Sequence, residues 1–422
     1  MTYNVVENKV CSPAKPFSIS IFNLFIFGLG SVVNALAYLS LQPVFLALIF
    51  LAVGMAILTV TPARGFYERR IFVRSFSMYW LAAGVASVYV NILNDPAEFG
   101  FDAATFFHLT SSGEINNLSL IEIQGRYENA APIILWNAFY NGLAAIGFER
   151  DHFVGILLNV FLVAFTGVLA IKMARLIYGE DPTRFRLLIF LFAYCGLFWL
   201  FAGTHVRDGL ILLFVTALAY CWLFFINKPD IGLRLLLVMT TSLLGSAYMG
   251  YLRLEFVFVP FAMAAAGTVA LIIGRKARQG RLVVYILVFA GFVTSLALLV
   301  SHGEALLQIL SVGNELYSLE VHSSPDSLGH ALIVSQATPV RLFLGSLYLF
   351  LFPIPFWVGF QTESSYHLFK SFNVLFFYFV IPLLVLSVRQ LWREKNKTKP
   401  ALFFILFLSL GFSIVLFVSF NP

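Results

Sequence analysis

Apolar runs repeat along almost the whole chain, and they decide what this sequence can fold into. The stretches 19–37, 43–60, 76–93, 152–171, 187–202, 209–226, 235–251, 256–274, 282–300, 372–388 and 401–420 each approach the roughly 17–25 residues with which a helix crosses hydrocarbon. With 60% of its 422 residues hydrophobic and 11% charged, the chain carries more apolar surface than one water-soluble core can hide. The expected fold is all-α, a polytopic transmembrane helical bundle of about eleven spans forming a single membrane domain over residues 1–422. Met1–Phe17 is polar and the first apolar run lacks a small-residue cleavage site, so no cleavable signal peptide is expected. Cys11, Cys195 and Cys221 have neither metal nor redox spacing.

Charge then orients the spans. The link carrying Arg64, Arg69, Arg70 and Arg74 is assigned to the cytoplasm, with a cytoplasmic N-terminus, and the sides alternate from there. On this assignment only Arg126, Arg150, Arg207, Arg253, Arg341 and Lys370, six of the 27 basic residues, fall outside. The bias survives only if two further apolar stretches do not cross. Residues 133–148 are therefore read as an interfacial helix, and 342–360, broken by Pro353-Ile354-Pro355, as a re-entrant segment. The first outer loop then spans 94–151 and the second 302–370, with the working face outside, periplasmic in a bacterial inner membrane.

Charged residues at that face are the candidates for chemistry. Asp102 follows Asp95 and Glu98 just after a span, where a carboxylate can take a proton from an acceptor hydroxyl; a solvated acidic loop is the plainer reading. A divalent metal is compatible with such carboxylates, although their spacing matches no known loop. Arg126, beside Tyr127 and Glu128, either grips phosphate oxygens through its planar fork or anchors the loop to lipid and Glu128. His205-Val206-Arg207-Asp208 fills a very short outer turn at the bilayer boundary, where unpaired charge is costly. Asp208 is read first as the cap of the next helix, and Arg207 as pointing into a shared cavity. Arg253 and Glu255 recur at another outer span end, and Arg341 precedes the re-entrant stretch. Outer arginines at apolar ends run against the positive-inside rule and point to an anionic ligand such as phosphate or pyrophosphate.

The order of an outer loop with Asp102, a Tyr127-containing approach to an interfacial helix, a helix opening with Arg207-Asp208 and a later Leu252-Arg253-Leu254-Glu255-Phe256 resembles the GT-C superfamily of membrane glycosyltransferases over roughly 94–260. The resemblance implies Asp102 as catalytic base, with Glu128 and Asp208 as further carboxylates, and Arg126, Arg207, Arg253 and Arg341 as holders of the lipid phosphate. His205, Tyr127 and Glu255 would contact substrate. The overall plan also looks like the Wzy-type O-antigen polymerases, a likeness of architecture. It implies a polyprenyl-(pyro)phosphate-linked oligosaccharide and membrane lipids as partners, with a chain-length regulator, no nucleic acid, and no cofactor beyond that divalent metal.

No nucleotide-binding loop or soluble catalytic domain is evident, so an activated sugar has to arrive already attached to lipid. Phe106, Phe107, Tyr127, Trp136 and Tyr140 are available to cradle sugar rings or prenyl chain. Two alternatives stand beside the repeat-unit polymerase: a GT-C enzyme that adds single sugars, and a flippase or transporter. The latter calls for ionisable groups near mid-span, which the sequence nearly lacks. For the topology, cysteines placed on either flank of 133–148, and of 342–360, are expected to react with a membrane-impermeant thiol reagent from one side only. Flanks reacting from opposite sides would overturn the orientation.

Overall fold

A computed structural model describes residues 19–60, 65–92, 101–118, 122–123, 130–227, 233–252, 259–273, 340, 356–361, 365–393 and 404–405. Among the described residues the regular elements are helices, and no strand forms. The order is α1 (Ile21–Tyr38), α2 (Gln42–Val60), α3 (Phe66–Asn91), α4 (Phe101–Ser111), a 3-10 turn (Glu114–Asn117), α5 (Ala130–Ala145), α6 (His152–Tyr178), α7 (Pro182–Tyr194) and α8 (Gly196–Gly203). Then come α9 (Asp208–Asn227), α10 (Leu233–Leu252), α11 (Val259–Ile273), α12 (Val358–Gln361) and α13 (Ser365–Arg393).

Five of these, α1, α2, α3, α6 and α9, are long and apolar enough to cross a membrane, and α7 with α8 makes a sixth if that bent pair is one span. The protein is therefore membrane-embedded, with five or six spans among the described residues. The apolar runs 235–251, 256–274 and 372–388 fall on α10, α11 and α13, while 282–300 lies outside the described residues, as does 401–420 apart from Phe404 and Ile405. The stretch 133–148 forms most of α5, a sixteen-residue helix, and of 342–360 only the last five residues are described.

Local chemistry sets the helix ends. Asp151 caps α6, accepting from the His152 N–H at 2.6 Å, and Gly179 closes its far end at φ 72°, a left-handed value that suits glycine. Asp181 then caps α7 by accepting from the Thr183 and Arg184 N–H groups, with Pro182 in the first turn. A continuous span is expected over 187–202, yet the helix breaks at Cys195 and bends by 53°. The reason lies in α13: Gly196 packs against the Phe369 carbonyl and the Asn373 backbone, and Asn373 Oδ1 accepts the freed Leu197 N–H at 3.2 Å.

At the centre stands α3, packed against α1, α6, α7 and α8. Asn34 donates to the Trp80 carbonyl at 3.0 Å, Trp80 Nε1 donates to Ser31 at 3.2 Å, and Tyr38 meets Ser87 at 3.1 Å. These pairs make α1 parallel to α3. Opposed to both runs α6, because Arg175 near its end holds buried Glu68 in the first turn of α3 through both carboxylate oxygens. Ile21, Phe25, Leu29, Val32 and Leu36 of α1 remain exposed, the face a helix turns to lipid.

This arrangement gives the bundle two unlike ends. Arg69, Arg70, Arg74, Lys172, Arg175, Arg184, Arg186 and Arg234 gather toward one, and Tyr38, Asp151 and His205 lie toward the other. The Glu68–Arg175 pair ties the basic end together. Its guanidinium is 20% exposed and also reaches Glu180 at 2.8 Å, so water and a second carboxylate soften the loss of Glu68. Glu68→Gln is expected to cost about 1–3 kcal/mol, read as a lower unfolding temperature of the detergent-solubilised protein. An unchanged unfolding temperature would remove the pair from the account of stability.

Candidate functional site

One face of α6 organises the end opposite the basic cluster. Gly155, Asn159 and Val163 recur every four residues and so share that face. Against it lies the link between α8 and α9. Asn159 is fully buried, and its amide donates to the carbonyls of Thr204 and Val206, each at 2.7 Å. The His205 ring presses on Gly155 so closely that any Cβ there would overlap it. Gly209 packs against Asn159 and Val163, where an added Cβ would sit 2.9 Å from Asn159 Oδ1.

From the other side, α4 and α5 enclose the same histidine. Phe106 and Phe107 of α4 lie 5.1 and 6.0 Å from the His205 ring, and Trp136 and Tyr140 of α5 at 6.4 and 5.8 Å. Tyr140 also accepts the Gly155 N–H at 3.2 Å, and His152 stacks on Phe107 at 3.5 Å. His205 is wholly buried, and among the described residues neither of its ring nitrogens, nor Trp136 Nε1 nor Asn159 Oδ1, has a hydrogen-bond partner. Burial, and secondarily the neighbouring His152, holds the His205 imidazole well below the usual histidine range, so it is neutral. Asp151 is raised by burial against the opposing effect of the His152 N–H.

A polar clasp closes the outside of this cluster. Arg150 donates to Asn141 at 2.7 Å and to the Ser111 carbonyl at 3.2 Å. Asn141 in turn donates to Asn116 and Asn137, and Asn137 to the Thr110 carbonyl. The 3-10 turn, α4 and α5 are thereby joined to the start of α6.

Four of the expected site residues, Asp102, His205, Arg207 and Asp208, fall in this neighbourhood. Asp102 occupies the first turn of α4, four residues before Phe106. Arg207 is half-buried, and its carbonyl accepts the Leu210 and Ile211 N–H groups. Arg207 rather than Asp208 is therefore the capping residue of α9, and Asp208 stands in the first turn, where the helix dipole still favours its charge. The turn is the short link between α8 and α9. It is held about 10 Å down α6 from His152, seven residues along the helix, and is covered by α4 and α5. His205 is thus an enclosed group, not one presented on the surface. Arg126, Tyr127, Glu128, Arg253, Glu255 and Arg341 lie outside the described residues.

Sequence reasoning missed Gly155, Asn159 and His152. The available signal was an asparagine in the apolar run 152–171, with a glycine one turn before it. Among the described residues no group of three or more His, Cys, Asp or Glu side chains is placed to hold a metal ion. No protein-family model, curated protein or solved structure matches the chain.

The buried histidine has a measurable consequence. Its folded pKa lies below that of the unfolded chain, so the unfolded state takes up the proton first and stability is lost as pH falls through the ordinary histidine value of about 6.5. His205→Gln is expected to flatten the decline in unfolding temperature between about pH 7.5 and about pH 5. A decline of the same steepness in that variant would show that His205 does not contribute to it.

Proposed function

We propose that this protein is an integral-membrane glycosyltransferase that joins sugars at the outer face, using polyprenyl-(pyro)phosphate-linked donors, as a repeat-unit polymerase of a surface polysaccharide. The observation that carries the reading is convergence at His205. The helix bearing Asp102, the aromatic face of α5 and the turn bearing Arg207 and Asp208 come together there, although they are far apart in sequence. Aromatic faces beside buried donors and acceptors suit a sugar ring, whose C–H faces and hydroxyls need both.

In this mechanism Asp102 takes the proton of the acceptor hydroxyl, whose oxygen bonds to the anomeric carbon of the donor. The bond from that carbon to the phosphate oxygen breaks, and its electron pair leaves with the lipid (pyro)phosphate. Arg207 stabilises the charge gathering on the leaving group, aided by Arg126, Arg253 and Arg341. Glu128 and Asp208 are the alternative carboxylates, and Tyr127, His205 and Glu255 line the sugar. The basic end faces the cytoplasm of a bacterial inner membrane, the full chain makes about eleven spans, and the His205 end opens to the periplasm.

Purified protein supplied with lipid-linked oligosaccharide tests the reading: chain growth supports it, transfer of one sugar supports the single-sugar enzyme, and movement across vesicles without bond formation supports a flippase. Asp102→Asn, which keeps size but cannot accept the proton, is expected to lower turnover by about 10²–10⁴-fold with donor binding intact. Arg207→Lys keeps the charge but loses the fork, and donor binding or leaving-group departure is expected to weaken. Full synthesis by Asp102→Asn would remove it as base, and full activity of Arg207→Lys would reduce that arginine to an electrostatic anchor.

A further inference from the structure

We infer that Asn159 is a positioning residue, whose side-chain amide fixes the turn that presents Arg207 to the lipid phosphate; the inference rests on the glycosyltransferase reading for its ligand and on geometry for its device. Between Gly203, where α8 ends, and Arg207, whose carbonyl begins the hydrogen bonding of α9, the backbone is not helical and lies in the interior. Carbonyls there have no water to turn to. Asn159 meets two of them with the two hydrogens of a single amide, at 2.7 Å each. The Val206 N–H bonds back to the Thr204 carbonyl at 3.0 Å, so the two carbonyls and the residue between them form one small rigid unit.

The rest of the α6 face is closely fitted to the turn. His205, between the two held carbonyls, fits only because Gly155 has no side chain, and Gly209 fits beside Asn159 and Val163 for the same reason. Arg207 sits directly after the second held carbonyl and directly before α9. Its backbone is thus fixed from both sides, which removes the ordering cost that a free loop would pay when phosphate binds.

Two measurements on the full-length protein test this, and they fail separately. In the first, Arg207→Cys is labelled with a thiol reagent and read by mass spectrometry at that position, with Asn159 intact or replaced by Leu, a near-isostere without donors. A several-fold change in labelling rate is expected, and an unchanged rate overturns the positioning role whatever the protein's activity. In the second, a polyprenyl monophosphate is titrated into native protein, Asn159→Leu and Glu68→Gln. Asn159→Leu is expected to bind about tenfold more weakly, as loss of buried hydrogen bonding costs, while Glu68→Gln, which loosens α6 at its other end, binds as native. Equal weakening in both variants would mark the effect as general loosening and overturn the inference. Absence of binding by the native protein would instead count against the glycosyltransferase reading, leaving the labelling result to decide the role of Asn159.

Discussion

A backbone carbonyl or N–H that leaves helical hydrogen bonding inside hydrocarbon has to find its partner on another element, and in this chain asparagine side chains repeatedly supply it. Asn159 of α6 satisfies the turn before α9. Asn373 of α13 satisfies the break at Cys195, where it accepts from Leu197 N–H and Cys195 Sγ. Asn34 joins α1 to the Trp80 carbonyl of α3. Each contact lets one helix fix the non-helical or closely packed stretch of another. Glycine then permits the approach, at Gly155 under His205, at Gly196 against α13, and at Gly84 under Asn34.

The same constraint explains what the sequence made legible. Helix class and the positions of α1, α2, α6 and α9 follow from apolar run length alone, because a membrane span is selected mainly by hydropathy. The His205–Asp208 turn was legible as a short charged link between two apolar runs. Its enclosure was not, because that depends on which helix supplies donors, and Asn159 is 45 residues away from Thr204. The break at Cys195 also escaped, since no proline marks it and its cause is a helix some 178 residues further along. Phe106, Phe107, Trp136 and Tyr140 were legible as aromatics of the first outer segment, but their common focus on His205 required tertiary structure.

Electrostatics divides the two ends by cost. At the basic end Glu68 is buried but answered by Arg175. At the other end the enclosed group is a histidine that avoids the cost of burial by staying neutral, while Trp136 Nε1 and Asn159 Oδ1 have no partner among the described residues. Aromatic faces and these buried polar atoms stand side by side around His205. Under the proposed transfer from a lipid phosphate, groups already oriented in a dry site would need little rearrangement as charge develops.

The account stands most directly on where a lipid-linked donor binds. Electron cryomicroscopy of the protein with a non-hydrolysable polyprenyl-pyrophosphate oligosaccharide locates it. The account predicts phosphate density beside Arg207, with sugar density toward α4 and α5. Phosphate density among Arg69, Arg70 and Arg184 at the basic end, with the His205 cluster unchanged, would contradict it.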